Sequence, residues 1–347
     1  MATNKAIVKA RPGMGGLEFR DVPIPEPGVG EVLLKNRAVA ICGTDLHIYN
    51  WDAWSQKRVK LPTIIGHEFA SEVAAIGPGV DNVKVGDYVS GEGHLVCGHC
   101  DNCRTGLGHV CYDWKGLGYD VDGAFRHYFI MPAMNLWHND PSTPPAYAAV
   151  QDPLGNAVHT VFRVDCVAKK VAVYGLGPVG LLAISVLKAI GAAEIFAFDA
   201  GNEYRMDMAR RIGAHHVADV KKVDPVRYIM DLTAGHGVDV VMEIAGTPAA
   251  IQSALHSVKM GGDVVLLGIP NQEVPIDIAK DLVFRSVSMH GITGRRIWDT
   301  WFKMRGLLKS GSLHLDAIIT HQFAFEDYEE GFKLMQTGNC GKVVLTF

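Results

Sequence analysis

From residue 169 onward, short apolar segments alternate with segments of helical length, and this alternation constrains the fold more than any other feature of the chain. The apolar segments are 171–174, 195–198, 238–242 and 264–267; the helical ones are 179–190, 203–212 and 248–258. Strands without a polar face need cover on both sides, which a parallel sheet flanked by helices provides. The expected class is therefore α/β, with a doubly wound parallel sheet. Between the first strand and the first helix stands Gly175-Leu176-Gly177-Pro178-Val179-Gly180. Gly175, Gly177 and Gly180 permit a tight turn and the close approach of a pyrophosphate, and Val179 opens a helix whose free N–H groups suit phosphates. Asp199 ends the next strand, where an acidic residue meets the adenosine ribose hydroxyls and repels a 2′-phosphate. NAD is thus expected over NADP. Arg205 adds a cation close by, and Gly201 and Asn202 lengthen this turn.

At 347 residues the chain is longer than one core usually serves, so two domains are expected. Residues 5–150 read as β-rich, with Gly, Pro and Asp at the joins. The boundaries are placed at 1–155 for a β-rich domain, 156–296 for the cofactor domain and 297–347 for a return to the first, which includes a helical pattern at 298–308 and a strand-like tail at 342–347. A net charge of −4 supplies no basic field for a polyanion, which argues against nucleic acid as the partner and for a small molecule. The longest apolar stretch, 179–192, is interrupted by Lys188 and falls short of the roughly 20 residues of a membrane span. Residues 1–16 hold no apolar signal-peptide core, and the odd number of cysteines, seven, fits a reducing cytoplasm.

Cys97, Cys100, Cys103 and Cys111 bring four thiolates into one short segment. Closed tetrahedral coordination by four thiolates leaves no position for substrate, so a zinc ion here is structural. An iron–sulfur cluster would want a shorter last gap followed by proline, and Cys111 is followed by Tyr112. A second set is dispersed: Cys42, then His67 and Glu68, then Asp152. Together they offer a thiolate, an imidazole and carboxylates, the mixture with which catalytic zinc keeps an open position. Sequence distance leaves open whether they converge.

Cys42-Gly43-Thr44-Asp45, Gly66-His67-Glu68, the four-cysteine segment, Val85-Gly86-Asp87 and the later glycine fingerprint occur in the order of the zinc-containing medium-chain dehydrogenases, which the chain resembles over essentially its whole length. The resemblance implies a GroES-like catalytic domain, a Rossmann domain for NAD, and an active site in the cleft between them. It implies that Cys42 and His67 ligate catalytic zinc, that Glu68 joins or leaves the coordination, and that Asp152 either binds this zinc or supports its proton chemistry. Many relatives carry Glu in place of Asp152, and the family usually has glycine at Ser71. Thr44 and His47 are placed as a proton route, and Gly268, Ile269, Ile292 and Thr293 near the nicotinamide.

Within that family, the stretch His47 to Gln56, the segment Asp152 to His159 and the segment Gly291 to Arg295 are similar to members that oxidise L-threonine. That similarity places His94 in the substrate pocket, with Trp51 and Trp54 as possible walls and Arg295 as a weaker candidate for an anionic contact. It also implies a homotetramer. Two rivals stand beside this reading: a polyol or 2,3-butanediol dehydrogenase of the same family, and a zinc-binding interaction module without catalysis.

Overall fold

Six strands of the computed structural model, which describes residues 4–347, form one parallel sheet. Their spatial order is His216–Asp219, Glu194–Asp199, Lys170–Tyr174, Val238–Glu243, Val258–Leu266 and Ser288–Gly291. The chain starts in the middle, winds to one edge, then returns to build the other. The order therefore reverses between Lys170–Tyr174 and Val238–Glu243, and ligands of such sheets bind outside the carboxyl ends of the strands at that point. The helix Pro178–Ile190 follows the first of these strands. Gly177 caps it in an extended conformation, Pro178 occupies its first turn, and Gly191 ends it in the left-handed region at φ 85°.

Each strand and helix expected between 171 and 267 has a counterpart in the structure. The strand His216–Asp219 and the helix Pro225–Leu232 were not anticipated from the sequence. The strand is four residues long and half polar, which gives no period to read. The helix had a legible start, since the Asp224 carboxylate accepts from the N–H groups of Val226 and Arg227 just ahead of Pro225.

The protein divides into two units: Met1–Pro153 together with Ile319–Phe347, and Leu154–Ile318. The first unit is built on a seven-stranded sheet in the order Leu136–His138, Tyr88–Gly91, Glu68–Ile76, Glu31–Ile41, Lys342–Thr346 and Ile319–Ala324, with Tyr128–Pro132 also pairing with Glu31–Ile41. Its core includes Ile7, Leu34, Phe69, Phe129, Phe325 and Phe332. Ser71, where the family usually has glycine, is buried and donates to Asn36 Oδ1 at 2.7 Å, so the hydroxyl has a partner inside the sheet.

The return to the first unit begins at Ile319, later than the expected 297. The helix Asp299–Ser310 and the short helix Leu315–Ile318 belong to the second unit, where the His314 N–H donates to Ser185 Oγ at 2.9 Å. Helical spacing reveals an apolar face but not which core that face meets. Among the described residues no helix is long and apolar enough to cross a membrane.

A Cβ on Gly180 would stand 1.9 Å from the carbonyl oxygen of Gly175, a backbone atom that cannot rotate away. Gly180→Ala should destabilise the second unit by about 1–3 kcal/mol, as overpacking does, and weaken dinucleotide binding. Thermal denaturation and NADH titration check both effects.

Candidate metal and cofactor sites

The dispersed set converges. Ligand atoms of Cys42, His67 and Glu68 all lie within 4.8 Å of one another. Cys42 is the N-cap of the helix Gly43–Asn50, and His67 and Glu68 lie at the start of the strand Glu68–Ile76, which pairs with Glu31–Ile41 through Ala40 and Glu68. Adjacent strands thus carry the two arms of the site. Asp152 stands beside it: a Cβ on Gly93 would lie 3.5 Å from both Asp152 Oδ2 and His67 Cβ. Its oxygens do not join the three-residue group.

The electrostatics of the cluster favour a cation. Burial alone pushes the His67 imidazole down, yet the Cys42 thiolate, Asp45 and Asp152 outweigh it and raise it to about 10. Asp45 is fully buried and accepts from the N–H groups of Cys42 at 2.9 Å and Gly66 at 3.1 Å, with His67 Nδ1 4.0 Å away. It ties the two ligand-bearing turns together and places negative charge behind the imidazole. Glu68 is held by Lys342, whose Nζ lies 2.8 Å from one carboxylate oxygen and 2.6 Å from the other and also donates to the Ile41 carbonyl. Neither Asp45 nor Lys342 received a role from the sequence. Asp45 sits inside a recognised motif, whereas Lys342 lies 274 residues from its partner and carried no signal.

A chain of ring contacts runs outward from His67. His94 packs on Trp114 at 4.8 Å, Tyr119 meets His67 edge-on at 6.2 Å, and Trp54 meets Tyr119 at 5.8 Å. His47 Nδ1 lies 2.5 Å from Asp52 Oδ2, while the other Asp52 oxygen caps the helix Ala53–Arg58. Thr44 Oγ1 is 3.8 Å from Cys42 Sγ. Trp51, by contrast, ends the helix Gly43–Asn50 with φ 55° and packs against the core of the first unit.

The four cysteines of the short segment are unbridged, with sulfur separations of 3.5, 3.8 and 4.0 Å between Cys97 and Cys111, Cys100 and Cys111, and Cys97 and Cys103. A tetrahedron with zinc–sulfur bonds of about 2.3 Å requires separations of about 3.8 Å, so the cage fits that ion. Backbone N–H groups support it: Cys97 N–H donates to Cys111 Sγ and Cys100 N–H to Cys97 Sγ, each at 3.4 Å. The Cys103 N–H helps draw the Cys100 thiol down to about 6, while burial and the neighbouring Cys100 push Cys103 up to about 12. Four thiolates crowded in this way need a dication to coexist.

In the second unit, Gly175 adopts φ 95°, and its missing Cβ leaves room for Ala245. Around Gly177 there is open space. Asp199 Oδ2 accepts from Leu176 N–H and Oδ1 from Ala200 N–H, each at 2.9 Å, so each oxygen keeps a lone pair for a further donor. Asn202 caps the helix Glu203–Ile212 by accepting from the Arg205 N–H. Gly268 and Ile269 follow the strand Val258–Leu266, and Ile292 and Thr293 follow Ser288–Gly291, so all four lie at carboxyl ends. Glu243, which the sequence had not singled out, is buried at the switch point and accepts from the N–H groups of Ala245 and Gly246. Arg295 is buried against Gly155 and donates to Asn156.

Two family models match: residues 28–141 as an alcohol dehydrogenase GroES-like domain and residues 178–310 as a zinc-binding dehydrogenase. An L-threonine 3-dehydrogenase from Bacillus licheniformis is 48% identical over 341 residues, covering 98% of each chain. The chain belongs to the zinc-binding dehydrogenase family. Its fold is shared with an Escherichia coli CFT073 alcohol dehydrogenase complexed with NADH, at 26% identity, TM-score 0.91 and full coverage of both chains. A Sinorhizobium meliloti 1021 protein bound to NADP has TM-score 0.90, 26% identity and equal coverage. Family membership makes the chain an oxidoreductase acting on a small molecule and sets aside a non-catalytic zinc module.

If the four-cysteine cage holds structural zinc, Cys100→Ser should lower the zinc content by about one ion per chain and reduce thermal stability, with activity persisting in the fraction that stays folded. Metal analysis beside a melting curve decides; an unchanged zinc count rejects the assignment.

Proposed function

We propose that the protein oxidises the secondary alcohol of L-threonine to L-2-amino-3-oxobutanoate, with NAD as hydride acceptor. The observation that carries this reading is the convergence of Cys42, His67 and Glu68 in an anionic cluster, with the Tyr119 ring against His67. Relatives named L-threonine 3-dehydrogenase that match nearly the whole chain support the choice of substrate.

Cys42 and His67 would hold the catalytic zinc, which when bound polarises the substrate hydroxyl and stabilises the alkoxide. Glu68, now paired with Lys342, would be a third donor if released from it, and Asp152 would supply a further carboxylate at the edge of the site. The alcohol proton leaves through Thr44 and His47. With the His47 Nδ1–H donated to Asp52, Nε2 is left as the base. Cys97, Cys100, Cys103 and Cys111 would hold a structural zinc.

On the second unit, Gly175, Gly177, Val179 and Gly180 would cradle the pyrophosphate, with Asp199 on the ribose hydroxyls and Arg205 beside them. Gly268, Ile269, Ile292 and Thr293 would flank the nicotinamide. Neighbours of this fold bind either NADH or NADP, so the choice falls to local charge, and Asp199 favours NAD. We place the enzyme in the cytoplasm as a homotetramer; seven unbridged cysteines support the first, and the exposed Val283 and Phe284 beside an edge strand support a covered surface.

L-threonine should be preferred over sorbitol, 2,3-butanediol and 2-butanol by at least about a hundredfold in kcat/KM, because a pocket built for charged ends leaves its polar groups unpaired without them. NADH formation across that panel tests the assignment, and a polyol or diol that matches threonine transfers it to the rival branch. Asp199→Ser should raise the NADP-to-NAD efficiency ratio by on the order of tenfold, as loss of a carboxylate facing a phosphate predicts. A wild type that already prefers NADP contradicts this role.

A further inference from the structure

We infer that Arg58 is a specificity-determining residue that selects substrates bearing a carboxylate; this rests on the proposed oxidation of L-threonine. Arg58 ends the helix Ala53–Arg58, whose N-cap Asp52 also fixes His47. Its Nε and Nη2 each donate to a different oxygen of Asp120 at 2.6 Å, a two-pronged bond that fixes the plane of the guanidinium. Asp120 is anchored in turn by the Gly116 N–H at 2.8 Å. The guanidinium carbon lies 4.9 Å from the centre of the Trp114 ring and 5.8 Å from that of Tyr119.

Those two rings touch His94 and His67, at 4.8 and 6.2 Å between centroids. One side chain therefore orders both rings that border the metal ligand and the pocket histidine. Gly116 makes the arrangement possible, since a Cβ there would fall 1.9 Å from the Tyr119 ring. Nε and Nη2 are committed to Asp120, and Nη1 has no hydrogen-bond partner among the described residues. A planar cation with a free N–H edge, held against the two rings that lead to His67 and His94, provides what an amino-acid carboxylate needs and an uncharged alcohol does not. Lysine at this place would keep the charge but lose the fork and the stacking.

The test compares three secondary alcohols on the zinc-loaded enzyme: L-threonine, 3-hydroxybutyrate, which has the carboxylate without the amino group, and 2-butanol, which has neither. Arg58→Met should raise KM for the first two by about tenfold or more, with kcat within about threefold, whereas kcat/KM for 2-butanol, which senses only the loosened rings, should fall by no more than about threefold. Arg58→Lys should fall between Met and wild type. Zinc content and melting temperature of both variants establish that the site is intact. Equal losses for all three alcohols, or no change in KM for L-threonine, overturn the assignment of Arg58 while leaving the threonine reading in place. A wild type that does not prefer L-threonine to 2-butanol overturns both.

Discussion

Negative charge gathers around one buried imidazole in the first unit, and that unit is organised around it. Cys42, Asp45, Glu68 and Asp152 surround a single imidazole with little water to screen them. Burial opposes ionisation of Asp45 and Glu68, and a buried charge without partners is costly. Each group is answered differently. Asp45 takes two backbone N–H groups, Glu68 takes the ammonium of Lys342, and the Cys42–His67 pair is left with an affinity that a zinc ion satisfies. Removing Lys342 would therefore do more than break an ion pair, because it would leave Glu68 free to compete for the metal.

The second unit solves the opposite problem. It must accept a large anion while offering few formal charges, and it does so with backbone: a turn at Gly175 that only a residue tolerant of positive φ adopts readily, an uncluttered Gly177, and a helix start whose N–H groups are unspent. Glu243 serves this unit as a local brace, since its carboxylate holds the turn Ala245–Gly246 that packs on Gly175. A carboxylate in the first unit helps to define a cation site, whereas in the second it shapes the chain beside an anion site.

Much of this was legible in the sequence because the signals were local. The strand, glycine turn and helix at 170–190 are contiguous, and so are the four cysteines; in both, spacing alone implies geometry. The dispersed ligands could be read only as a composition until the pairing of Glu31–Ile41 with Glu68–Ile76 brought them together. What stayed hidden depends on long-range contacts. Lys342 reaches Glu68 across most of the chain, Arg58 reaches Asp120 across 62 residues, and the helix Asp299–Ser310 joins the second unit through a face whose partner no periodicity names.

The strand Lys342–Thr346 pairs antiparallel with Glu31–Ile41 and brings the counter-charge of Glu68 with it. During synthesis a ribosome makes all of Leu154–Ile318 before that strand exists. The nascent first unit meanwhile carries an open sheet edge beside Cys42 and a Glu68 without its lysine partner, while the younger unit already has the sequence for its whole sheet. The later-made half thus has the means to fold first, and the earlier-made half waits for its closing strand. This inverts the usual order of emergence from the ribosome, and until residues 342–346 are made the strand Glu31–Ile41 lacks a partner on that side and is open to mispairing.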